Sequence, residues 1–349
     1  MFAMVTRFAA ACLILGGLMA SPALAEQDLL ARAKQFFDPI PVEPPALPDN
    51  PATPEKVELG KMLFFEPRLS ASHTISCNSC HNLGLGGADG ASTSVGHRWQ
   101  VGGRNAPTVL NAGFNLAQFW DGRAKDLEEQ AGGPIVNPIE MASNEIGVVD
   151  LLKTIPPYVK QFSEAFPGDA DPVSLHNAQK AIALFEATLI TPNAPFDLFL
   201  KGDSGALSPR QKEGLALFMD KGCADCHNGI NVGGGMYAQL GLVIKPGAEY
   251  LPPEDKGRYT VTKEASDEYV YKVPTLRNIA LTAPYFHTGK VWDLRQAVAL
   301  MGAVQRGEQL SQDEVAKIAA FLESLTGDQP KVTYPLLPAD TKNSPRPAL

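Results

Sequence analysis

Two stretches of the chain carry the same five-residue frame, Cys77-Asn78-Ser79-Cys80-His81 and Cys223-Ala224-Asp225-Cys226-His227. Two thiols three positions apart, followed at once by an imidazole, suit the covalent attachment of haem. The thiols add to the vinyl groups, and the adjacent histidine reaches the iron from the same side. Paired cysteines could instead hold zinc, but zinc gives no reason for a histidine directly after each pair. A thioredoxin-like motif would need one pair near a βαβ pattern, which neither frame has. Two covalent haem c groups are therefore expected, held by Cys77, Cys80, Cys223 and Cys226, with His81 and His227 on the irons.

The far side of each iron separates an electron carrier from an enzyme. Residues 107–131 align without gaps on residues 274–298, so the two frames belong to two copies of one haem-binding unit. Continuing that register places Met301 opposite Pro134 and His287 opposite Trp120. Met301 is the expected sulfur ligand of the second iron, with Met236 as the rival. Pro134 can ligate nothing, which leaves the first iron open. Beyond it stands Glu140, an acid in an apolar Pro-Ile-Glu-Met stretch. A carboxylate there could carry a proton between the two oxygens of a peroxide, or it could be a solvated or capping residue. His97 lies in a stretch with five glycines between Gly84 and Arg98, read as a mobile loop. It could fold back to cap the first iron reversibly, or it could be a surface histidine.

The elements that position these residues read as short helices between Gly/Pro loops. Thr53-Pro54 and Ser208-Pro209 open the helix ahead of each motif, where Gly60-Lys61-Met62-Leu63-Phe64 matches Gly214-Leu215-Ala216-Leu217-Phe218. Ser311 with Glu314 forms a capping box, Val315, Ile318, Leu322 and Leu325 make an apolar stripe, and Gly327 ends the helix. Period-2 alternation is scarce. The expected fold class is mainly α, with two cytochrome-c-like haem domains related by internal duplication, residues 26–190 and 191–349. The seven prolines from Pro39 to Pro54 and the tail after Tyr334 read as extended surface segments, and Gly202 to Gly205 as a linker. Ahead of them, Arg7, an apolar run too short to span a bilayer and a small-residue ending at Ala25 read as a signal peptide over residues 1–25. It carries away Cys12, so every remaining cysteine lies in a haem frame. No later stretch could span a membrane. A formal net charge of −8 argues against a nucleic-acid partner.

In these residues the chain resembles the bacterial di-haem cytochrome c peroxidases. The likeness covers essentially the whole mature chain: LGKMLFFEPRLS before the first motif, TSVGHRW around His97, AQFWDGRAKDLEEQAGGPIVNPIEM, CHNGINVGG at the second haem, and LTAPYFHTGKVWDLRQAVALMG down to Met301. The resemblance implies a periplasmic enzyme that reduces hydrogen peroxide with electrons from a small cytochrome c or blue copper protein. The first haem would be the low-potential, peroxidatic one, and the second the high-potential one that receives electrons. It further implies His97 as distal ligand of the first iron in the oxidised state, Gln130 and Glu140 in the peroxide pocket, and Trp120 between the haems. A calcium ion at Asn105 and the carbonyls of Thr282 and Pro284, and a calcium-dependent homodimer, are implied as well. A non-enzymatic di-haem carrier would need a second methionine where Pro134 stands. The related enzyme that matures a tryptophan-derived cofactor carries a tyrosine where this chain has Met301.

Overall fold

The computed structural model describes residues 22–348, without the side chains of residues 22–25. The expected signal peptide thus lies outside the described residues except for its last four positions, which open the first helix. In chain order the helices are α1 (Pro22–Ala33), α2 (Pro54–Phe64), α3 (Cys77–Cys80), α4 (Leu127–Val136), α5 (Glu145–Lys153) and α6 (Pro156–Ala165). After them come α7 (Leu175–Ala187), α8 (Pro195–Leu200), α9 (Pro209–Asp220), α10 (Tyr259–Thr262), α11 (Leu294–Arg306) and α12 (Gln312–Glu323). Strands β1 (Tyr237–Gln239) and β2 (Val270–Lys272) form a small antiparallel ribbon with Tyr237 opposite Lys272. Short 3-10 turns fill many of the connections. The fold is mainly helical, and among the described residues no helix is long and apolar enough to cross a membrane.

Local chemistry starts these helices where the sequence calls for it. The Thr53 hydroxyl accepts from the Lys56 amide, and both Ser208 with Gln211 and Ser311 with Glu314 close capping boxes. Asp126 and Asp293, equivalent in the two copies, each cap the helix after their haem motif. The apolar faces then gather into two cores. One is built by α2, α4, α5, α6 and α7, including Leu59, Leu63, Phe64, Phe162, Ile182 and Phe185. The other is built by α8, α9 and α12, including Phe196, Phe218, Ile318, Phe321 and Leu325.

The duplication is repeated atom by atom. A Cβ on Gly60 of α2 would come within 1.9 Å of the Ala181 carbonyl oxygen on α7, and one on Gly214 of α9 within 2.0 Å of the Lys317 oxygen on α12. Only a residue without a side chain allows either helix pair to cross so closely. Asn111 and Asn278 both take left-handed backbone, and their amides cap the ends of α7 and α12 through the carbonyls of Leu189 and Leu325. Both Asn side chains donate to one hydroxyl, Thr191 Oγ1, at 2.8 and 2.9 Å, so the halves meet there with near-twofold symmetry.

Two features depart from the sequence reading. Residues 202–205 are a turn inside the second half, not a linker, because Phe196, Phe199 and Leu200 before it and Leu207 after it all belong to the second core. The ends of the chain also cross over. Ala33 and Phe37 pack in the second core, where fully buried Arg277 pairs with Asp197 at 2.8 Å and donates to the Asp38 carbonyl at 3.1 Å. At the other end Val332 and Leu337 pack on the first core, and Tyr334 meets Phe65 ring to ring at 4.9 Å. Arg68, bonded to buried Glu66, reaches Asp340 at 2.6 Å, and Glu66 also accepts from Tyr158. Residues 26–40 therefore serve the second core and residues 332–348 the first, on either side of the 190/191 division.

Candidate active site

Cys77 and Cys80 sit one turn apart on α3, and His81 follows as its C-terminal cap. The His81 Nδ1 lies 3.0 Å from the carbonyl oxygen of Pro107. An oxygen can only accept, so Nδ1 carries the proton and Nε2 is left with its lone pair free, the form a metal requires. Burial pulls the His81 pKa down, which keeps the ring neutral. Beside it opens a cavity of about 350 Å³. Its lining brings together Cys80, His81, Asn105, Trp120, Gln130 and Glu140, which the chain spaces over sixty positions. The neutral imidazole with one committed nitrogen and the adjoining thiols fit a covalently held haem.

The second motif has the same parts. His227 is buried, and burial pushes its pKa down to about 4. Its Nδ1 makes no full hydrogen bond, although the carbonyl of Pro274, the duplicate of Pro107, is near enough to oppose that shift. The ring is thus neutral and buried beside its own cysteine pair, near the duplicate of the carbonyl that fixes the His81 tautomer. Cys223, Ala224 and Val298 share the second core, so α11 flanks the motif, and Arg306 at the end of α11 reaches Asp225 within the motif at 3.5 Å. Met301 is half-buried on that helix, whereas Met236 is 37% exposed beyond the end of the motif's loop.

Glu140 faces the first cavity from the segment after α4. Burial raises its pKa, while the charge of Arg123 and a 2.8 Å hydrogen bond from Asn137 Nδ2 pull the other way. The carboxyl is therefore poised to hold and release a proton nearer neutrality than a surface glutamate. Trp120 donates Nε1–H to the Asn105 carbonyl at 2.9 Å and stands edge-on to His287, with ring centroids 6.1 Å apart, so it lies where the halves touch.

His97 is placed differently. It is buried, but it is absent from the cavity lining. Its backbone N–H donates to the Glu140 carbonyl at 2.7 Å, and Gly96 lies so close that a Cβ there would come within 2.2 Å of the Ile139 oxygen. The glycine-rich segment is thus docked on the Glu140 strand of chain. Asn105 is buried at the junction of the halves, its N–H donating to His287 O at 2.8 Å and its side-chain amide to Ala91 O. It meets the chain three residues past Pro284. No group of three or more His, Cys, Asp or Glu side chains that could hold a metal occurs among the described residues. A cation there would be held by amide and carbonyl oxygens.

Three lining residues carry chemistry that spacing did not reveal: Arg123, Glu186 on α7, and Lys272 at the end of β2. Glu186 is fully enclosed, its Oε2 has no partner, and burial alone raises its pKa to about 8. Lys272 is a charge within the apolar run Val270-Tyr271-Lys272-Val273, and it aligns with Asn105 in the duplication; those two signals could have singled it out.

Comparison with known proteins agrees with this geometry. The profile of the di-haem cytochrome c peroxidase family matches residues 54–205, and that of cytochrome c matches residues 211–326. The chain is 58% identical to a cytochrome c551 peroxidase of Pseudomonas aeruginosa, covering 96% of this chain and 97% of that one. It is 52% identical to a cytochrome c551 peroxidase of Nitrosomonas europaea, covering 86% and 90%. A crystal structure of a MauG-like protein associated with microbial copper homeostasis superposes with a TM-score of 0.72 at 28% identity, covering 82% of this chain and 93% of the other. With two haem motifs, one of them beside a cavity that holds an acid, and relatives of this closeness over nearly its whole length, the chain belongs to the di-haem cytochrome c peroxidase family, oxidoreductases that act on hydrogen peroxide.

Proposed function

We propose that the protein works in the periplasm, reducing hydrogen peroxide to water in the first half with electrons received in the second from a small cytochrome c or blue copper protein. Cys77, Cys80 and His81 hold one haem c, and Cys223, Cys226, His227 and Met301 the other. Bound there, haem supplies an iron that can accept peroxide and a second that can take and pass on electrons. The observation that carries the reading is Glu140: a half-buried carboxyl with a raised pKa, facing the cavity beside His81. It takes the proton from one peroxide oxygen and delivers it to the other. Gln130, on the same cavity wall, orients the peroxide by hydrogen bonding. Trp120 bridges the halves and lies on the path between them.

His97 is the residue that closes the first site in the oxidised resting state. Its loop is docked on the chain at Glu140, beside the first cavity, which supports that reading. Calcium at Asn105 and the carbonyls of Thr282 and Pro284 would brace the junction beside Trp120. The face around the His97 loop exposes Val95, Trp99, Val101, Val136 and Ile139, with Trp99 87% exposed. Apolar residues gathered this way suit an interface with a second copy of the chain.

Replacing Glu140 with Gln keeps the size and polarity but removes the movable proton. The Glu140→Gln enzyme should retain both haem spectra and lose about 10²-fold or more in kcat/KM for peroxide, the usual scale for general acid–base help. Turnover near wild type would remove Glu140 from the proton path.

A further inference from the structure

We infer that Lys272, reaching across from the second half, is the counter-ion of a haem carboxylate in the first half's cavity, a positioning residue that also sets that haem's reduction potential. The inference rests on reading this cavity as a haem site.

The backbone fixes where Lys272 stands. Its N–H donates to the Trp120 carbonyl at 2.7 Å, and its duplicate Asn105 donates to His287, the duplicate of Trp120, at 2.8 Å. This reciprocal pair locks β2 against the first half, and from there the Lys272 side chain lines the cavity beside His81. The residue is 6% exposed. Among the described residues its Nζ makes no hydrogen bond and no ion pair.

The other cations on the lining are provided for. Arg104 pairs with Asp121 at 2.7 Å and Asp255 at 2.6 Å, and Arg123 pairs with Asp121 at 3.1 Å. Glu186 lines the same cavity but forms no ion pair with Lys272, and burial keeps it largely protonated at neutral pH. An ammonium buried without a counter-ion is strongly disfavoured, and here burial alone pulls the Lys272 pKa down to about 8. Neither Glu140 nor Glu186, the other carboxyls on this wall, forms an ion pair with Lys272, so among the described residues the chain itself gives this ammonium no partner. Haem c carries two carboxylate side chains, and a haem held by Cys77, Cys80 and His81 would bring them into the cavity that Cys80, His81 and Lys272 line together. A haem carboxylate needs a cation for the same reason that Lys272 needs an anion.

The electrostatic consequence has a definite sign. A carboxylate near an iron favours the oxidised state, because reduction adds negative charge beside it. Pairing with Lys272 offsets that effect and raises the potential of the first haem. The strand that supplies Lys272 belongs to the second half, so the docking of the halves and the potential of the first haem become linked.

The test is a spectroelectrochemical titration of the two-haem enzyme, wild type against K272M, K272Q and K272R, with intact mass confirming haem content. The midpoint of the first haem should fall in K272M and K272Q, fall further than that of the second haem, and return towards wild type in K272R. An unchanged first midpoint in the neutral variants overturns the inference, as does a K272R that falls as far as K272M. If the neutral variants do not load the first haem, normal loading of K272R supports the pairing and equal failure of K272R overturns it. A wild-type mass with one haem, and free thiols at Cys77 and Cys80 by peptide mapping, would instead overturn the haem reading of the cavity.

Discussion

Glu186 sits in the wall of the first cavity with no partner for one of its oxygens, held protonated by burial alone. Its pKa, about 8 in the folded protein, lies above the ordinary carboxylate value of 4.5. The folded state therefore keeps a proton that the unfolded chain gives up first. Between those two values stability falls as pH rises, by at most about 1.4 kcal/mol per pH unit, and above the folded value no more is lost. Glu186→Gln should unfold at nearly the wild-type temperature near pH 4.5 and at a higher one at pH 8. Thermal unfolding followed by circular dichroism reads the difference, and parallel pH curves for the two proteins would rule the effect out. Trp120 is legible in the sequence because it stands where the second copy has His287, and Glu140 because it is an acid in an apolar stretch past Pro134. Glu186 is not, because what marks it is the lack of a partner, and partners depend on which elements meet; Lys272 shows in the sequence only as a charge in an apolar run.

The helices themselves were well signposted. Thr53, Ser208 and Ser311 begin helices where their side chains can accept from free amides, and the stripe from Val315 to Leu325 faces the second core. What periodicity could not show is why Gly60 and Gly214 recur at one position of the two copies. The helix crossings supply the reason, since each glycine faces a backbone carbonyl with no space for a methyl group. Gly60→Ala should force α2 away from α7 and cost about 1–3 kcal/mol, the usual range for overpacking. A lower first transition in scanning calorimetry, with the Gly214→Ala protein weakened in the other half, is the expected result; a Gly60→Ala protein as stable as wild type would show that the crossing can spread freely. The glycines of the His97 loop also answer a packing need: at Gly96 the loop lies against Ile139 and Glu140, a contact some forty positions away that no local pattern announces.

At the scale of the molecule, the duplication and the number of haem sites could be read directly, and the crossing of the ends could not. A proline-rich tail without periodicity tells that it runs extended, but not over which half. Removing residues 330–349 would strip Val332, Tyr334 and Leu337 from the first core and leave Arg68 without Asp340. The loss should be about 2–4 kcal/mol, from two or three partly buried apolar side chains, and confined to the first half. Calorimetry showing both halves weakened equally, or neither, would contradict that assignment. The crossing also sets an order in time. Helix α1 is made early, yet it packs on α8 and α9, so it has no surface to rest on until residues 195–220 have followed it. The tail, made last, closes over the half that was made first. Along the chain the ends are far apart, yet each completes the core of the other half, so neither core is complete on its own stretch of chain.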